Sequence, residues 1–222
     1  MPSGFDGVAY VERHGPFQDL EYARFVDEDF IGRTLDLNKW RTQIAGGGSA
    51  AIVDDAASGI LRIITGNVGG NDVILDFNNI RQVDPTLRPV YVVYAKMASV
   101  AIDTIHLRIG LLDAIGVDHC IFWVDRSTHG SLSIFAQAMN AGAQTRFVDT
   151  LVDLDANWHT YALYIDENGK PYWFIDGVLL VTGANADIDP TEFFQPYVEL
   201  TTEDVNPKTL DVDAVKGWQK RV

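Results

Sequence analysis

The chain has 222 residues, of which 47% are hydrophobic and 22% charged, with a formal net charge of −14. That apolar content excludes disorder throughout and suits one β domain or two small ones. The acidic balance excludes the basic footprint of non-specific nucleic-acid binding and disfavours an anionic membrane leaflet.

Residues 1–28, "MPSGFDGVAYVERHGPFQDLEYARFVDE", hold turn residues and scattered aromatics without a strand period. They read as an N-terminal arm before a domain at 29–222. The start lacks the basic-then-apolar pattern of a signal peptide. Nowhere does a run of about 18 apolar residues occur. The expectation is a soluble chain made in a cytoplasm. Phe5, Tyr10, Phe17, Tyr22 and Phe25 are the arm's candidates for contact with a partner.

From residue 40 onward, short β-branched or aromatic runs alternate with Gly, Asn, Asp or Pro, the pattern of successive strands. They are "SAAIVD" (49–54), "ILRIIT" (60–65), "DVILDF" (72–77), "VYVVYAKM" (90–97), "HLRIGLL" (106–112) and "CIFWVD" (120–125). "SLSIFAQA" (131–138), "TRFVDT" (145–150), a double hairpin, "PYVELTT" (196–202) and "LDVDAVKGW" (210–218) follow. The glycine run "GGGSA" (46–50) is a strand connection. No segment sustains helical periodicity, and "DPTEFF" (189–194) makes one turn at most. The fold class is all-β, a two-sheet antiparallel jelly-roll sandwich.

The double hairpin is the clearest local signal. Asp176-Gly177 separates Tyr172–Ile175 from Val178–Val181, and the dipeptide suits the positive φ of a tight two-residue turn. Asn168-Gly169 repeats the device between Tyr161–Ile165 and Tyr172–Ile175. In "PYWFI", Tyr172 and Phe174 point opposite to Trp173 and Ile175. Which pair faces the core stays open. The closing strand places Leu210, Val212 and Ala214 on one face and Asp211 and Asp213 on a face toward water.

"DFIGRTLDLNKWRT" (29–42), "NWHTYALYIDENGKPYWFIDGVLLVTG" (157–183), "FQPYVELTTED" (194–204) and "KTLDVDAVKGWQKR" (208–221) together resemble the concanavalin A-like lectin/glucanase superfamily, in its laminin-G-like and family-16 glycosidase-like branches. Within it they more closely resemble jelly-roll domains of tailed-bacteriophage structural proteins. The superfamily contains enzymes, lectins and structural parts, so the likeness speaks to fold before function. Trp40 and Trp158, beside strand starts, read as plugs at the ends of the core.

Retaining glycoside cleavage needs two carboxyl groups about 5–5.5 Å apart. The resemblance implies that they stand on one strand as Glu-x-Asp-x-x-Glu. None of Glu12, Glu21, Glu28, Glu167, Glu192, Glu199 and Glu203 fits that pattern, and Glu199 and Glu203 are four apart without an intervening Asp. The expectation is no enzyme and no catalytic residue. There is no Gly-x-Ser-x-Gly elbow or phosphate loop. His14, His106, His119, His129 and His159 lack metal-ligand spacing. Cys120, in "DHCIFWV", reads as a buried small hydrophobe.

Asp-x-Asp pairs at 153/155, 187/189 and 211/213 are fragments of a calcium shell without its remaining ligands, so no metal or other cofactor is expected. Calcium at a structural position is what the resemblance leaves open. The function expected is a non-enzymatic virion structural protein. It would be a capsid decoration (cement) protein, attached through its arm to a capsid or other virion protein and homo-oligomeric. The alternatives are a carbohydrate-binding module using Trp123, Tyr164, Tyr172 or Trp173, and a family-16-like glycosidase with carboxyl groups distant in sequence.

Overall fold

Strand β6 (Val90–Met97) shows how the sequence builds the fold, since Tyr91, Val93, Ala95 and Met97 are buried while Val92, Tyr94 and Lys96 face outward. The same period of two recurs in strand after strand. The computed structural model describes residues 22–31, 34–53, 59–98, 104–113 and 117–221. Phe5, Tyr10 and Phe17 lie outside the described residues.

The first strands are β1 (Tyr22–Glu28), β2 (Arg41–Ile44), β3 (Ser49–Val53), β4 (Ile60–Ile64) and β5 (Asp72–Asp76). After β6 come β7 (Ile105–Leu112), β8 (His119–Asp125), β9 (Ser133–Asn140) and β10 (Ala143–Asp153). The chain closes with β11 (His159–Ile165), β12 (Pro171–Ile175), β13 (Val178–Thr182), β14 (Gln195–Thr202) and β15 (Thr209–Lys220). An eight-stranded sheet runs β13-β12-β11-β6-β15-β4-β3, with β1 also on β15. A seven-stranded sheet runs β10-β9-β8-β7-β14-β5-β2. The two antiparallel sheets form the expected jelly-roll sandwich.

One apolar core lies between the sheets, fed by Leu61, Val93, Leu163 and Val212 from one side and Val73, Leu107, Phe122 and Val198 from the other. Trp173 is completely buried there, and its Nε1 donates to the carbonyl of Ile121 at 3.0 Å, joining β12 to β8 across the sandwich. Trp40 is the expected plug, edge-on to Phe77 at 4.5 Å and donating to Glu28. Trp158 instead stacks on Tyr94 and carries the Lys96 ammonium over its ring. Cys120 is buried.

Three local expectations change. Seven residues assigned to the arm, Tyr22–Glu28, form β1 on β15. Phe25, at the bulge of that pairing, lies so close to Gly217 that a Cβ there would meet its ring at 2.2 Å. Asn168-Gly169 belongs to a longer loop between Ile165 and Pro171, where the Asp166 carboxylate accepts from the backbone of Asn168 and Lys170. Asp176-Gly177 is the tight turn expected, with φ of 51° and 76°. Finally, a bulge between Val212 and Ala214 shifts β15, so Val215 rather than Ala214 follows Val212 into the core. Asp211 is not turned to water: it is 1% exposed and held by the fork of Arg62.

Candidate functional site

The outer face of the seven-stranded sheet collects the chain's polar chemistry. On β7, Leu107, Ile109 and Leu111 enter the core, which turns His106, Arg108 and Gly110 outward. The same rule turns out His119, Ile121 and Trp123 on β8, Tyr197 and Glu199 on β14, and Asp72, Ile74 and Asp76 on β5. A sheet face open to water would expose these side chains. Yet Glu199 is 7%, Tyr197 6%, Gln137 9% and Phe135 9% exposed. These side chains therefore shield one another from water, and the half-buried patch they form is the recess of this sheet.

One row crosses the strands: Ile74, Glu199, Arg108, Trp123 and Phe135 stand opposite one another in turn. At its centre the Glu199 carboxylate accepts from Arg108 Nη1 at 3.0 Å, from the Tyr197 hydroxyl at 2.6 Å and from Thr201 Oγ1 at 3.4 Å. Burial, and then the charge of Glu199, push the Tyr197 phenol well above its ordinary pKa, so it remains a donor. Asp72 lies diagonally next to Glu199 on β5, because Asp72 pairs with Thr201 and Glu199 with Ile74. Burial, and after it the Glu199 charge, raise the pKa of Asp72.

The other half of the row is aromatic. Trp123 Nε1 donates to His106 Nε2 at 2.6 Å, which requires an unprotonated Nε2. Burial, followed by the Arg108 guanidinium, lowers the His106 pKa and keeps the ring neutral. His129 and Phe147 meet Trp123 edge-on, each at 5.2 Å, and Phe135 stacks on Phe147 at 4.7 Å. Asp125 caps the helical turn Arg126–His129 through Thr128 N, Thr128 Oγ1 and Ser127 Oγ. At the far edge, Arg41 forks onto the buried Asp76.

Of the four aromatics expected to meet a sugar, only Trp123 lies in this recess. Trp173 is in the core, which rules it out as a platform. Tyr164 and Tyr172 lie beside each other on the outer face of the opposite sheet, bonded to Arg88 and Asp166 respectively. Tyr22 packs at that same cluster with Trp218 and Phe174. The Asp-x-Asp pairs serve the protein itself: Asp155 holds His159, Asp187 holds Arg146, Asp189 holds Thr191 and Asp211 holds Arg62. Among the described residues, no group of three or more His, Cys, Asp or Glu is placed to hold a metal ion.

Two carboxyl groups on one recessed face, one biased toward its proton and the other fixed by a guanidinium and a phenol, are equipped for paired acid and base chemistry. Sequence reading missed Asp72, Arg108 and Tyr197. The outward alternation Tyr197, Glu199, Thr201 was a usable signal, but the β14–β5 pairing that adds Asp72 was not.

No family model matches the chain, and no curated protein matches it. Solved structures do. A β-1,3-glucanase from Mycobacterium marinum superposes with a TM-score of 0.68 at 15% identity, covering 88% of this chain and 99% of that one. An endo-1,3-β-glucanase from Streptomyces sioyaensis gives 0.66 at 13% identity, covering 90% and 97%. A protein of unknown function from Shewanella oneidensis gives 0.61 at 15% identity, covering 90% and 86%. Likeness at these identities establishes a shared fold, a two-sheet antiparallel jelly-roll sandwich like that of these glucanases.

These findings correct the expectation of a non-enzymatic capsid protein. Structures with a named activity that share the fold over nearly the whole chain include several β-glucanases and one named for endo-acting O-glycanases, and nothing found points to a virion. The ground for excluding an enzyme fails as well. No single strand carries the two carboxyl groups, but β5 and β14 bring one each to the same face.

Proposed function

We propose that the chain is a carbohydrate-active protein, a glycoside hydrolase that takes a glycan across the recess of the seven-stranded sheet. The observation that carries this reading is the diagonal pairing of Asp72 with Glu199. Asp72, whose pKa is raised by burial and by its neighbour's charge, gives its proton to the glycosidic oxygen. Glu199, oriented by Arg108 and Tyr197, either attacks the anomeric carbon or draws a proton from the attacking water. Trp123 offers an apolar surface beside the reacting sugar. The β-glucanases of like fold make β-glucan the first substrate to try.

The test is release of reducing ends from a β-1,3-glucan by the purified chain, with Glu199→Gln and Asp72→Asn as controls. Release abolished by both substitutions is the expected result. Binding without cleavage would restrict the recess to glycan recognition, and absence of both would overturn the reading.

A further inference from the structure

The outer face of the eight-stranded sheet carries an apolar patch built from two rows. Trp218, Val90, Tyr164 and Tyr172 stand opposite one another in turn on β15, β6, β11 and β12. Beside them run Lys216, Val92, Ala162, Phe174 and, on β13, Leu179. Side chains that point away from the core on an uncovered sheet meet water. Here Phe174 is 2% and Trp218 6% exposed, and Val90 and Tyr164 are buried with them.

The flanking side chains are too short or too open to hide these rings. Phe174 stands between Ala162 and Leu179, and Leu179 is itself 47% exposed. Trp218 stands between Val90 and Arg24, whose guanidinium turns to Asp27. Even the Trp218 Nε1 is cut off from water. A ring that rises above its neighbours is sealed only from above. Among the described residues, all fifteen strands lie in the two sheets, and the helical turns are Pro85–Leu87 and Arg126–His129. Such a turn spans about 6 Å, whereas β15 to β12 is three inter-strand steps, roughly 14 Å. The long loops 29–40, 77–89 and 183–194 are anchored in the core, by Phe30 and Trp40, by Val83, and by Ile188 and Phe194. These exposures are those of a single chain, so the cover is part of it. Outside the described residues, 1–21 is the one segment longer than five residues.

We infer that residues 1–21 fold back over this face and close it, with their aromatic side chains on the patch around Trp218 and Phe174. The inference goes beyond the glycan reading and does not depend on it. Chain continuity starts the segment at the patch, since Tyr22 packs against it. A stretch of that length reaches about 70 Å when extended, several times the width to be crossed. It brings Phe5, Val8, Tyr10, Val11, Phe17 and Leu20 as apolar groups. Charge agrees. Asp6, Glu12, Asp19 and Glu21 outnumber Arg13 in the segment. On the sheet, Lys216 stands in the second row, the Lys170 ammonium lies 5.4 Å from the Tyr172 ring centroid, and Arg88 donates to the Tyr164 hydroxyl at 3.0 Å. Neither row contains a carboxylate; Asp166 and Glu167, which meet Tyr172 and Arg88, keep to the loop before β12. The cover ends before β13, where Val178 and Leu179 are exposed. One sheet is thus closed by the chain itself, and the recess of the other is the face left for a ligand. Tyr164 and Tyr172 are withdrawn from sugar stacking.

Nuclear Overhauser spectra of the full chain test this. Contacts from the rings of Phe5, Tyr10 or Phe17 to Val92, Ala162, Phe174 or Trp218 are expected, and they should persist when labelled chains are diluted into unlabelled ones. Contacts found only between differently labelled chains would give the face to a second copy and overturn the inference. So would rings that touch neither row. A full-length variant carrying Phe5→Ser, Tyr10→Ser and Phe17→Ser supplies a second measure. Hydroxyl-radical labelling of Trp218 and Phe174 should rise severalfold over wild type, while Trp173 in the core stays protected. Unaltered labelling of Trp218 and Phe174 in the variant overturns the inference. Should the variant not fold, Trp173 reveals it and the wild-type contacts decide. Neither measure involves a glycan, so failure here leaves the glycan reading standing.

Discussion

Asp72 and Glu199 stand one diagonal step apart on neighbouring antiparallel strands, Asp72 facing Thr201 and Glu199 facing Ile74. Diagonal neighbours on one face lie roughly 7–8 Å apart at their Cα atoms, within reach of long side chains. Two carboxyl groups at that spacing resist being ionised together, and burial adds to the resistance at Asp72. Their unequal surroundings divide the roles: Glu199 has a guanidinium and a phenol both on its Oε2, while the charge of Glu199 itself works against ionisation of Asp72.

Replacing either carboxyl group with its amide should therefore lower turnover without unfolding the chain. Glu199→Gln and Asp72→Asn are each expected to reduce kcat by about 10²–10⁴, the range for loss of an acid–base group. Tyr197→Phe removes one donor to Glu199 and should cost less than either. Steady-state hydrolysis of a β-1,3-glucan, with a melting curve for each variant, checks the order. Full activity in Asp72→Asn would dismiss Asp72 as the acid.

The pKa of Asp72 should report its neighbour. Burial is the larger cause of its elevation and would persist in Glu199→Gln, whereas the contribution of the Glu199 charge would vanish. Carboxyl-carbon NMR titration should find Asp72 above the ordinary aspartate value in wild type and lower in the variant. If Asp72 is the acid, as proposed, activity should fall as pH rises through its raised pKa. An Asp72 that titrates identically in both proteins would separate the two residues electrostatically.

The strands from β3 onward were legible because each carries its own alternation between turn residues, and their observed bounds depart from the sequence reading by only a few positions. "YARFVDE" and "RTQI" lack such a pattern, and β1 is stabilised by β15 at the other end of the chain. The bulge at Val212/Ala214 was equally hidden, since strict alternation continues on paper where the backbone skips a residue. The site divides in the same way. Glu199 can be read as outward from Val198 and Leu200 beside it, and a one-strand motif can be sought and found missing. A carboxyl pair assembled across β5 and β14 depends on register between segments far apart in sequence, and local pattern does not contain that information.

Asp211 offers a stability test remote from the recess. Its carboxylate is almost fully buried, and Arg62 grips both oxygens at 2.7 and 2.9 Å while meeting water on its other side. Arg62→Ala would strand that charge. The expected cost is about 2 kcal/mol, below the range for a wholly buried pair because the guanidinium is partly solvated. Arg62→Lys should recover only part of it, since an ammonium cannot make the two-pronged contact. Urea denaturation at neutral pH checks both, and an unaltered midpoint in Arg62→Ala would show that water or another cation replaces the fork.

His159 should make stability depend on pH in a definite direction. Its Nδ1 lies 2.6 Å from Asp176 in the tight turn, and its Nε2 lies 2.9 Å from Asp155 in the preceding loop. With a carboxylate at each nitrogen, the form that both contacts favour is the doubly protonated cation. Burial works against that cation, but the bonds to Asp176 and Asp155 outweigh it and raise the pKa. A raised histidine pKa contributes stability that is complete below the unfolded value, about 6.5, and is lost as pH rises through the folded value. Asp155 moves the opposite way: burial opposes, but its bonds to Asn157 and His159 lower its pKa, so its contribution fades only as pH falls below the ordinary aspartate range. The clamp is thus strongest between about pH 4 and 6.5. Comparing the melting temperatures of wild type and His159→Ala should give a larger gap at pH 5.5 than at pH 9. A gap independent of pH would mean that the ring holds the hairpin by packing alone, with its charge contributing nothing.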